Sequence, residues 1–423
     1  MKTEPTRVLV VTYMRSGSTL IGDILQHYAN SADAFEPLRL YARKEYRLVK
    51  AEMLYRWFTC DWLKINIMDL SIGKNISSRF TTQKKQDQYP TRVLVVTYLR
   101  SGSTLIGDIL QQYNNSTYAF EPLRYIEEDI KMGKQIDFLN GTHRYYNRDN
   151  SSWVLVEMLY RWFTCDVRRI NVMDLTSVML QGSDAYIQYY RCVNSRKRLL
   201  HASVAQRRKY IYKCMKLLKQ PCESGKVFII KTIRLEMASV ELLLTWLPGL
   251  KVIHLLRDPR GKLSSEFNVE PRMEWPSISS RADSVCRQMH SDIIEADRLY
   301  KLFPQSIRIL QYELFASDTI RKARKLFMFL NLTFTIEMNK YVRTHTLQKD
   351  LHDNCFWCAK KTNARLTSVR WRLHMSHKDV QQVDQNCRTL YKTAGYLEIK
   401  DEKVLRNLSV PSQVDSWIKY MSL

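Results

Sequence analysis

Residues 93–105 read Val-Leu-Val-Val-Thr-Tyr-Leu-Arg-Ser-Gly-Ser-Thr-Leu, and this stretch decides the fold of the chain. Its first half is a short, apolar and mostly β-branched run bounded by a turn, which is typical of a strand buried on both faces of a parallel sheet. A helical pattern begins at Thr104, with Leu105, Ile109 and Leu110 on one side. The succession of strand, tight turn and helix predicts an α/β fold.

The turn has the composition of an anion site. Gly102 allows a ligand to approach the backbone closely, and Ser101, Ser103 and Thr104 offer hydroxyl groups. The first amides of a helix have no partner within it, so a phosphate or sulfate binds there readily. With Arg100 as a fixed cation, the turn is a candidate phosphate or sulfate site, although alone it fits an ordinary strand-to-helix turn equally well.

The same loop excludes one common phosphate site. A Walker A motif requires Gly-x-x-x-x-Gly-Lys followed by Ser or Thr, and this loop has neither the lysine nor the spacing. A nucleoside triphosphatase is therefore disfavoured.

A second basic element follows another strand pattern, residues 251–256. Arg257 ends this predicted strand, and Asp258 before Pro259 has the signature of a helix N-cap with proline at the first helical position. Ser265, eight residues after Arg257, then lies on the following helix. A guanidinium and a hydroxyl in this arrangement could bind a second phosphate together.

Two later segments have similar patterns. Residues 307–314 are predicted as a strand and residues 319–330 as its helix, and Arg370-Trp371-Arg372 precedes a helical pattern from Ser376 to Gly395. Each segment by itself is more often scaffold than site.

Taken in this order and spacing, residues 91–396 resemble the carbohydrate sulfotransferases that use 3′-phosphoadenosine 5′-phosphosulfate (PAPS). The chain is most similar to the branch that sulfates the 6-hydroxyl of galactose or N-acetylglucosamine, the keratan-sulfate type. Besides the two elements above, the resemblance rests on Phe120-Glu121-Pro122-Leu123, Thr164-Cys165-Asp166, Lys231-Thr232-Ile233-Arg234-Leu235, Gln311-Tyr312-Glu313-Leu314, Trp371-Arg372, Cys387 and Ala394-Gly395-Tyr396.

The resemblance implies a P-loop-like, three-layer α/β fold, a mainly parallel sheet with helices on both faces. It also implies an in-line sulfuryl transfer from PAPS to a sugar hydroxyl, without a metal and without a covalent enzyme intermediate. Positioning and charge stabilisation should then dominate catalysis.

The resemblance assigns roles to particular residues. Arg100, Ser101, Gly102, Ser103 and Thr104 would hold the sulfate and the 5′-phosphate, with Arg100 steadying the leaving charge. Separately, the 3′-phosphate would be bound by Arg257 and Ser265.

Two assignments leave alternatives open. Glu121 would be the general base, with its pKa matched to that task by burial, or else a strand-end carboxylate paired with Arg124. Arg372 would add a late cation over the nucleotide, or else be an exposed arginine at a helix start.

The chain departs from the family in a near-identical repeat. Residues 6–39 align with residues 91–124 at an offset of 85 and differ only at positions 14, 27, 29, 32 and 33. The match resumes between Glu52 and Glu157 at an offset of 105, so the first copy lacks 20 residues, since 105 − 85 = 20.

This repeat defines the predicted organisation of the chain. Residues 1–70 are a partial duplicate, residues 71–90 a polar and basic linker, residues 91–400 the sulfotransferase domain and residues 401–423 a C-terminal tail. The second copy is expected in the working fold, because one strand and a few helices cannot cover two faces of a sheet. The less favoured arrangement has the first copy's strand displacing the second.

Charge bears on the partners. The chain carries 66 basic and 42 acidic residues, a formal charge of +24, which favours an anionic donor and an anionic or sulfated glycan acceptor. Nucleic acid would also explain the charge, but no helix-turn-helix, zinc-finger or paired-aromatic RNA signature supports it. No nucleic-acid partner is therefore expected, and the oligomeric state is left open.

Compartment is indicated indirectly. Eight of the nine cysteines fall in the predicted domain, an even number compatible with disulfides, and Cys355 and Cys358 form a Cys-x-x-Cys. Asn-x-Ser/Thr sequons permit glycosylation. The resemblance implies the Golgi lumen, with membrane attachment only through an N-terminal anchor that this chain lacks, because no apolar run reaches 18 residues.

Two other function classes remain alongside the enzyme. One is a catalytically inactive anion- or glycan-binding protein that keeps the fold, disabled by the insertion. The other, less favoured, is a nucleotide kinase of the same broad architecture.

Overall fold

The computed structural model describes residues 90–147, 151–269, 276–347 and 363–423, which belong to one compact unit. The predicted duplicate, the linker up to residue 89, and the Cys355/Cys358 pair lie outside the described residues. Within the described ranges, no helix combines the length and the apolar character needed to cross a bilayer.

A five-stranded parallel sheet forms the centre, in the spatial order β2-β5-β1-β6-β7. Numbered by chain order within the sheet alone, this is 2-3-1-4-5, with the first strand in the middle. A separate antiparallel pair consists of β3 and β4. The strands are β1 Thr91–Val96, β2 Ser116–Phe120, β3 Ile136–Asp137, β4 His143–Arg144, β5 Val227–Thr232, β6 Lys251–Leu256 and β7 Ile307–Gln311.

Helices cover both faces of the sheet. The α-helices are α1 Ser103–Gln111, α2 Arg124–Lys131, α3 Ser151–Phe163, α4 Val172–Leu175, α5 Ile187–Val193, α6 Val204–Lys213, α7 Met215–Ser224, α8 Val240–Trp246, α9 Pro259–Val269, α10 Ile278–Leu302, α11 Tyr312–Ser317, α12 Thr319–Phe329, α13 Ile336–Thr346, α14 Ala364–Val369, α15 Trp371–His374, α16 His377–Ala394 and α17 Glu402–Arg406. Short 3₁₀ helices lie at Val167–Arg169, Val178–Gly182, Ser195–Lys197, Met237–Ser239 and Trp417–Met421.

Alternation along the central strands explains this layering. Val93 and Val95 face a core shared with α1 and with α11 to α13. The neighbouring positions point the other way, where Phe228 packs edge-on against Phe163 of α3, with ring centroids 5.7 Å apart. Because both faces are buried, the central strands are mainly apolar, as the sequence predicts. The predicted three-layer α/β architecture is confirmed.

Local signals placed several element ends correctly. The Asp258 side chain accepts the amide of Arg260 at 2.9 Å, so that Asp258 is the N-cap of α9. Ser376 caps α16, which ends at Gly395 in the left-handed conformation (φ 80°). The strand predicted over 307–314 is shorter, because the chain turns into α11 at Tyr312.

Three disulfides cross-link the described residues, Cys165–Cys222, Cys192–Cys214 and Cys286–Cys387. The first joins the end of α3 to α7, and the last joins α10 to α16. The even cysteine count was compatible with disulfides, and the structure supplies the pairing.

Residues 401–423 are not a tail. The Leu423 amide donates to the Ile309 carbonyl at 3.0 Å, and the Ile418 and Met421 side chains are fully buried. The predicted boundary at residue 400 is therefore wrong, since the last residues pack along β7 and complete the core. Sequence patterns missed this because the segment is short and has little regular structure of its own.

Candidate active site

The candidate site lies at the carboxyl ends of the strands, around β1. The chain leaves β1 toward β2 on one side and later returns to place β6 on the other, which makes the end of β1 a topological switch point. Open α/β sheets bind ligands in the crevice at such a point.

The loop after β1 contains two residues with a positive φ, and one of them packs closely against Tyr312. Gly102 has φ 81°, and a Cβ at this position would overlap the ring of Tyr312. Arg100 also has a positive φ, 63°, which is uncommon for a non-glycine residue and is found preferentially at functional sites. Ser103 begins α1 directly behind this loop.

Arg257 reaches this loop from the end of β6. Its Nη1 donates to the Arg100 carbonyl at 2.7 Å and its Nη2 to the Thr367 carbonyl at 3.1 Å. The Arg100 Nε in turn donates to the Ser265 hydroxyl at 2.9 Å. The Arg257 guanidinium lies 4.9 Å from the centre of the Tyr312 ring. Two elements 157 residues apart in sequence therefore meet, as the resemblance implies by assigning both to one donor molecule.

We call residues 100–104, Arg257 and Ser265 the cradle. Two buried polar atoms in it have no hydrogen-bond partner, the Ser101 hydroxyl and the Arg257 Nε. Leaving a buried polar group unsatisfied is costly, so such atoms beside a ligand site are those a ligand would satisfy. Thr104 is partly exposed beside them. The arrangement fits a small, strongly anionic ligand.

Arg260 has a different role from its neighbour Arg257. It is fully buried and pairs with Asp258 at 2.8 Å and with Asp384 at 3.2 Å. Its guanidinium also lies 4.4 Å from the centre of the Trp371 ring. Arg260 thus fixes the start of α9 and leaves Arg257 to face the cradle.

Arg372 does not occupy its predicted place over the nucleotide. It is only 1% exposed, and its guanidinium donates to four backbone carbonyls. These belong to Val404, Leu405, Asn407 and Val410. Arg372 is therefore neither a cation over the nucleotide nor an exposed arginine, and both sequence-based interpretations were wrong. Its side chain instead binds carbonyl groups at the end of α17 and just after it.

Glu121 follows β2 at the same edge of the sheet, with φ 47°. It is buried and makes two ion pairs, to Lys231 and to Arg234, each at 2.6 Å. Arg234 is shared with Glu127, 3.0 Å away. The alternative pairing with Arg124 is not what the structure has. We call Glu121, Lys231, Arg234 and Glu127 the Glu121 cluster.

Burial and the neighbouring charges shift the pKa of Glu121 in opposite directions. Burial raises the pKa of this carboxyl, but the nearby charges of Lys231 and Arg234 outweigh it, and the net direction is below the usual value. Burial lowers the pKa of Lys231, opposed by Glu121. The Glu121 carboxylate is thus held ionised by its two cations. The sequence-based hypothesis instead expected burial to match the pKa of Glu121 to the task of a base.

Lys231 and Arg234 were noted in the sequence only as landmarks without a role. A signal for Lys231 was available, because it lies in the otherwise apolar run Val-Phe-Ile-Ile-Lys-Thr of β5, all buried. A lysine there requires a partner. The Phe120 ring, 4.1 Å from its Nζ, covers the ammonium on one side.

Among the described residues, no group of three or more His, Cys, Asp or Glu side chains is arranged to hold a metal ion.

Comparison with known proteins gives a consistent family. A family model described as "Sulfotransferase domain" matches residues 90–395. Carbohydrate sulfotransferase 3 of Tetronarce californica is 22% identical over 341 residues, 75% of this chain and 75% of the relative. Carbohydrate sulfotransferase 3 of Homo sapiens is 24% identical over 344 residues, 75% and 70% of the two chains. Carbohydrate sulfotransferase 4 of Mus musculus is 24% identical over 369 residues, 78% and 88% of the two chains.

Solved structures match more weakly. The sulfotransferase domain from the curacin biosynthetic pathway has a TM-score of 0.40 at 13% identity, covering 71% of this chain and 98% of that one. That likeness is too low to bear on the site. Because the family model spans more than half of the sequence, the protein belongs to the sulfotransferase family, whose members catalyse sulfuryl transfer, and the relatives that it resembles are named carbohydrate sulfotransferases.

Proposed function

We propose that this protein transfers the sulfuryl group of PAPS to the 6-hydroxyl of galactose or N-acetylglucosamine in a glycan. The observation that carries the proposal is the cradle, in which Arg257 and Ser265 meet the loop of Arg100 and leave two buried polar atoms without partners. A donor with phosphates at both ends matches a site assembled from two separate cationic elements.

The cradle residues fit the two ends of such a donor. The proposal assigns Ser101, Gly102, Ser103 and Thr104, with the amides at the start of α1, to the 5′-phosphosulfate, because a helix start favours negative charge. Arg100 adds a cation at this end. The 3′-phosphate is assigned to Arg257 and Ser265, since guanidinium and hydroxyl together suit a phosphate.

PAPS would supply an activated sulfuryl group, whose bond to the 5′-phosphate oxygen breaks as a bond to the sugar oxygen forms. Glu121, ionised by its two cations, takes the proton released by the sugar hydroxyl. Arg100 and Lys231 lie at the end of the sheet where negative charge would develop, and preorganised cations there stabilise the transition state.

The Glu121 cluster is asymmetric in a way that suits this assignment. Arg234 is fixed by two carboxylates, Glu121 and Glu127. Among the described residues, the Lys231 ammonium hydrogen-bonds only Glu121. Lys231 is therefore the cation that an incoming anion can draw away, and its departure would raise the pKa of Glu121 toward that of an effective base.

The acceptor assignment has its own support. Relatives named carbohydrate sulfotransferases indicate a glycan. The formal charge of +24 suits an acceptor that is anionic or already sulfated. The choice of the 6-hydroxyl rests on the sequence resemblance to the keratan-sulfate branch.

We place the protein in the lumen of the secretory pathway, in the Golgi. Three disulfides in one domain are typical of an oxidising compartment. The sequon of Asn140 is compatible with a glycan, because Asn140 is exposed. Its side-chain oxygen accepts from the Thr142 amide at 3.0 Å and from the Thr142 hydroxyl at 2.8 Å.

The test is transfer of labelled sulfate from PAPS to keratan-type oligosaccharides. The parent is compared with Arg100→Ala and Glu121→Gln, and with Arg15→Ala, the same residue of the first copy, as a matched control. Loss of transfer in the first two alone supports the proposal and the second copy as the working one.

Other outcomes reassign the protein. If the parent transfers no sulfate to varied acceptors yet binds adenosine 3′,5′-bisphosphate, it is a silent anion-binding protein. ATP turnover without any response to PAPS would indicate a nucleotide kinase.

A further inference from the structure

Three buried polar side chains form a cluster behind the cradle, on the opposite side of the sheet from α1. The Tyr98 hydroxyl lies 2.7 Å from Oδ2 of Asp292 and 2.9 Å from Nε2 of His254. Asp292 Oδ1 accepts the Met237 amide at 2.8 Å. We call Tyr98, His254 and Asp292 the Asp292 cluster; each is at most 5% exposed.

The protons in this cluster can be assigned from the donor inventory. A tyrosine hydroxyl has one proton, and the carboxylate Oδ2 of Asp292 is its acceptor. His254 must therefore carry its proton on Nε2 and donate it to the Tyr98 oxygen. Burial supports a neutral ring, because it lowers the pKa of His254 to about 3. Every hydrogen bond of the cluster is then accounted for, while His254 Nδ1 has no partner.

The cluster joins the three chain segments that carry the site. Tyr98 precedes Arg100 by two residues, and the Ser101 amide donates to the Tyr98 carbonyl at 3.2 Å. Met237 follows Arg234 by three residues, and His254 precedes Arg257 by three on β6. Asp292 itself stands in the middle of α10. One carboxylate thus holds the loops after β1 and β5, with β6 attached through Tyr98.

We propose that the Asp292 cluster positions Arg100 and Arg234 relative to each other, and so sets the distance between the cradle and the Glu121 cluster for transfer. The inference rests on the proposed function, and its residues touch neither the donor nor the acceptor. A misplacement of about 1 Å in reacting groups can cost about 100-fold in rate, so a tether between two loops affects turnover more than ground-state binding.

A purely structural role is the alternative, since buried polar groups must be satisfied wherever they occur. The two roles differ in what a mutation changes. A structural hydrogen bond alters unfolding and leaves turnover intact, whereas a positioning tether alters kcat in a protein that still binds its nucleotide.

The experiment compares Tyr98→Phe with Tyr189→Phe in the full chain. Tyr189 is another buried tyrosine, and its hydroxyl donates to the Leu175 carbonyl at 2.9 Å, away from the three segments. The measurements are kcat and KM for PAPS, the Kd of adenosine 3′,5′-bisphosphate and the midpoint of thermal unfolding. Both variants should lose similar stability, but only Tyr98→Phe should lower kcat, by about 10-fold, with a small change in Kd.

A pH profile adds a second readout. Burial raises the pKa of Asp292 to about 6, opposed by the hydrogen bonds from the Met237 amide and Tyr98. The ionisable groups that face Asp292 are Tyr98, His254, Glu236 and Glu295. Wild type should show an acid limb in kcat near pH 6 in addition to the limb due to protonation of Glu121, and only the limb near pH 6 should be absent from Asp292→Asn.

Equal kcat in the two tyrosine variants, or an unchanged acid limb in Asp292→Asn, overturns the inference while leaving the proposed function standing. A parent that neither transfers sulfate nor binds adenosine 3′,5′-bisphosphate overturns both.

Discussion

The cradle and the Glu121 cluster lie at the same edge of the sheet, but they differ in whether their buried polar groups have partners. In the cradle, the Ser101 hydroxyl and the Arg257 Nε are buried without partners. In the Glu121 cluster, one carboxylate already satisfies Lys231 and Arg234 at 2.6 Å each. On the proposed function, the cradle would gain an anion, whereas the Glu121 carboxylate would lose one of its ion pairs before it accepts a proton.

This difference suggests an order of events. On the proposed function, an anion bound in the cradle would attract Lys231 and so release that cation from the Glu121 carboxylate. Buried ion pairs contribute little net stability but are costly to break one-sidedly. If Lys231 exchanges Glu121 for the bound anion, its charge remains paired and this cost is avoided. We therefore expect donor binding to precede the separation of Lys231 from Glu121.

A clash between residue 102 and Tyr312 should have the largest effect, because it displaces the loop of the cradle. Gly102→Ala adds a Cβ that overlaps the Tyr312 ring at φ 81°, so we expect nucleotide binding and transfer to fall by about 100-fold or more, as when 1 Å misplacements disrupt a site. The measurement is calorimetric titration with adenosine 3′,5′-bisphosphate alongside kcat/KM.

The control is Gly249→Ala, which has a similar φ of 83° and open space around the position. It should cost about 1–2 kcal/mol of stability from backbone strain and leave binding unchanged. Normal binding by Gly102→Ala would show that the packing of Gly102 on Tyr312 does not determine the shape of the nucleotide site.

Removing the charge of Glu121 should affect the chemical step next most strongly. Glu121→Gln is expected to lower kcat by about 100-fold to 10,000-fold, the range of general-base catalysis, with little change in KM for PAPS. Glu127→Gln, a carboxylate on the same Arg234, is the matched variant and should lose far less. Comparable losses in both would assign Glu121 to holding Arg234 rather than to catalysis.

Lys231 tests the link between the two regions. Lys231→Met removes one of the two cations that lower the pKa of Glu121 before the donor binds, so the acid limb of the kcat/KM profile, which reports the free enzyme, should move to higher pH, and kcat should fall by about 10-fold to 100-fold.

The control for this variant is Lys251→Met, because Lys251 is also a buried strand lysine. It is the first residue of β6, at the end of the sheet away from the site, and its Nζ donates to the Gln305 carbonyl at 2.7 Å. An acid limb that stays in place in Lys231→Met would separate the lysine from the carboxylate.

The smallest effect concerns stability and pH. Burial raises the pKa of Asp174 and of Glu313 to about 7 and that of Asp292 to about 6. A carboxyl with a raised folded-state pKa binds its proton more tightly when folded, so acidification from pH 7.5 to 5.5 should stabilise the fold.

His254 opposes this, because its pKa of about 3 means that below pH 6.5 the unfolded chain gains a proton the folded state does not. Three groups outweigh one, and the urea midpoint should rise over this range. A midpoint that falls steadily would mean these carboxyls are ionised and paired in the fold.

Sequence predicted what local patterns determine. The strand of Val93–Val96, the helix after Pro259 and the serine and glycine that bound α16 follow from periodicity and capping. The convergence of Arg100 with Arg257 was implied by the family resemblance, which assigns both residues to one donor molecule, and not by a local pattern.

Contacts between segments that are distant in the sequence could not be predicted from these local patterns. Nothing local distinguishes Arg124, three residues from Glu121, from Arg234 as its partner, because the pairing depends on β2 lying beside β5. Arg372 was misplaced for the same reason, since its acceptors come from a segment 32 to 38 residues later in the chain.

The central claim is that the cradle binds the two phosphate-bearing ends of one adenine nucleotide. Calorimetric titration of wild type and Arg257→Met with adenosine 3′,5′-bisphosphate and with adenosine 5′-phosphate tests it most directly. Wild type should prefer the bisphosphate by about 100-fold, the value of a charge-assisted pair worth about 3 kcal/mol, and Arg257→Met should lose that preference while still binding the monophosphate. Equal affinity of wild type for both nucleotides, or a preference that survives in Arg257→Met, would contradict the claim.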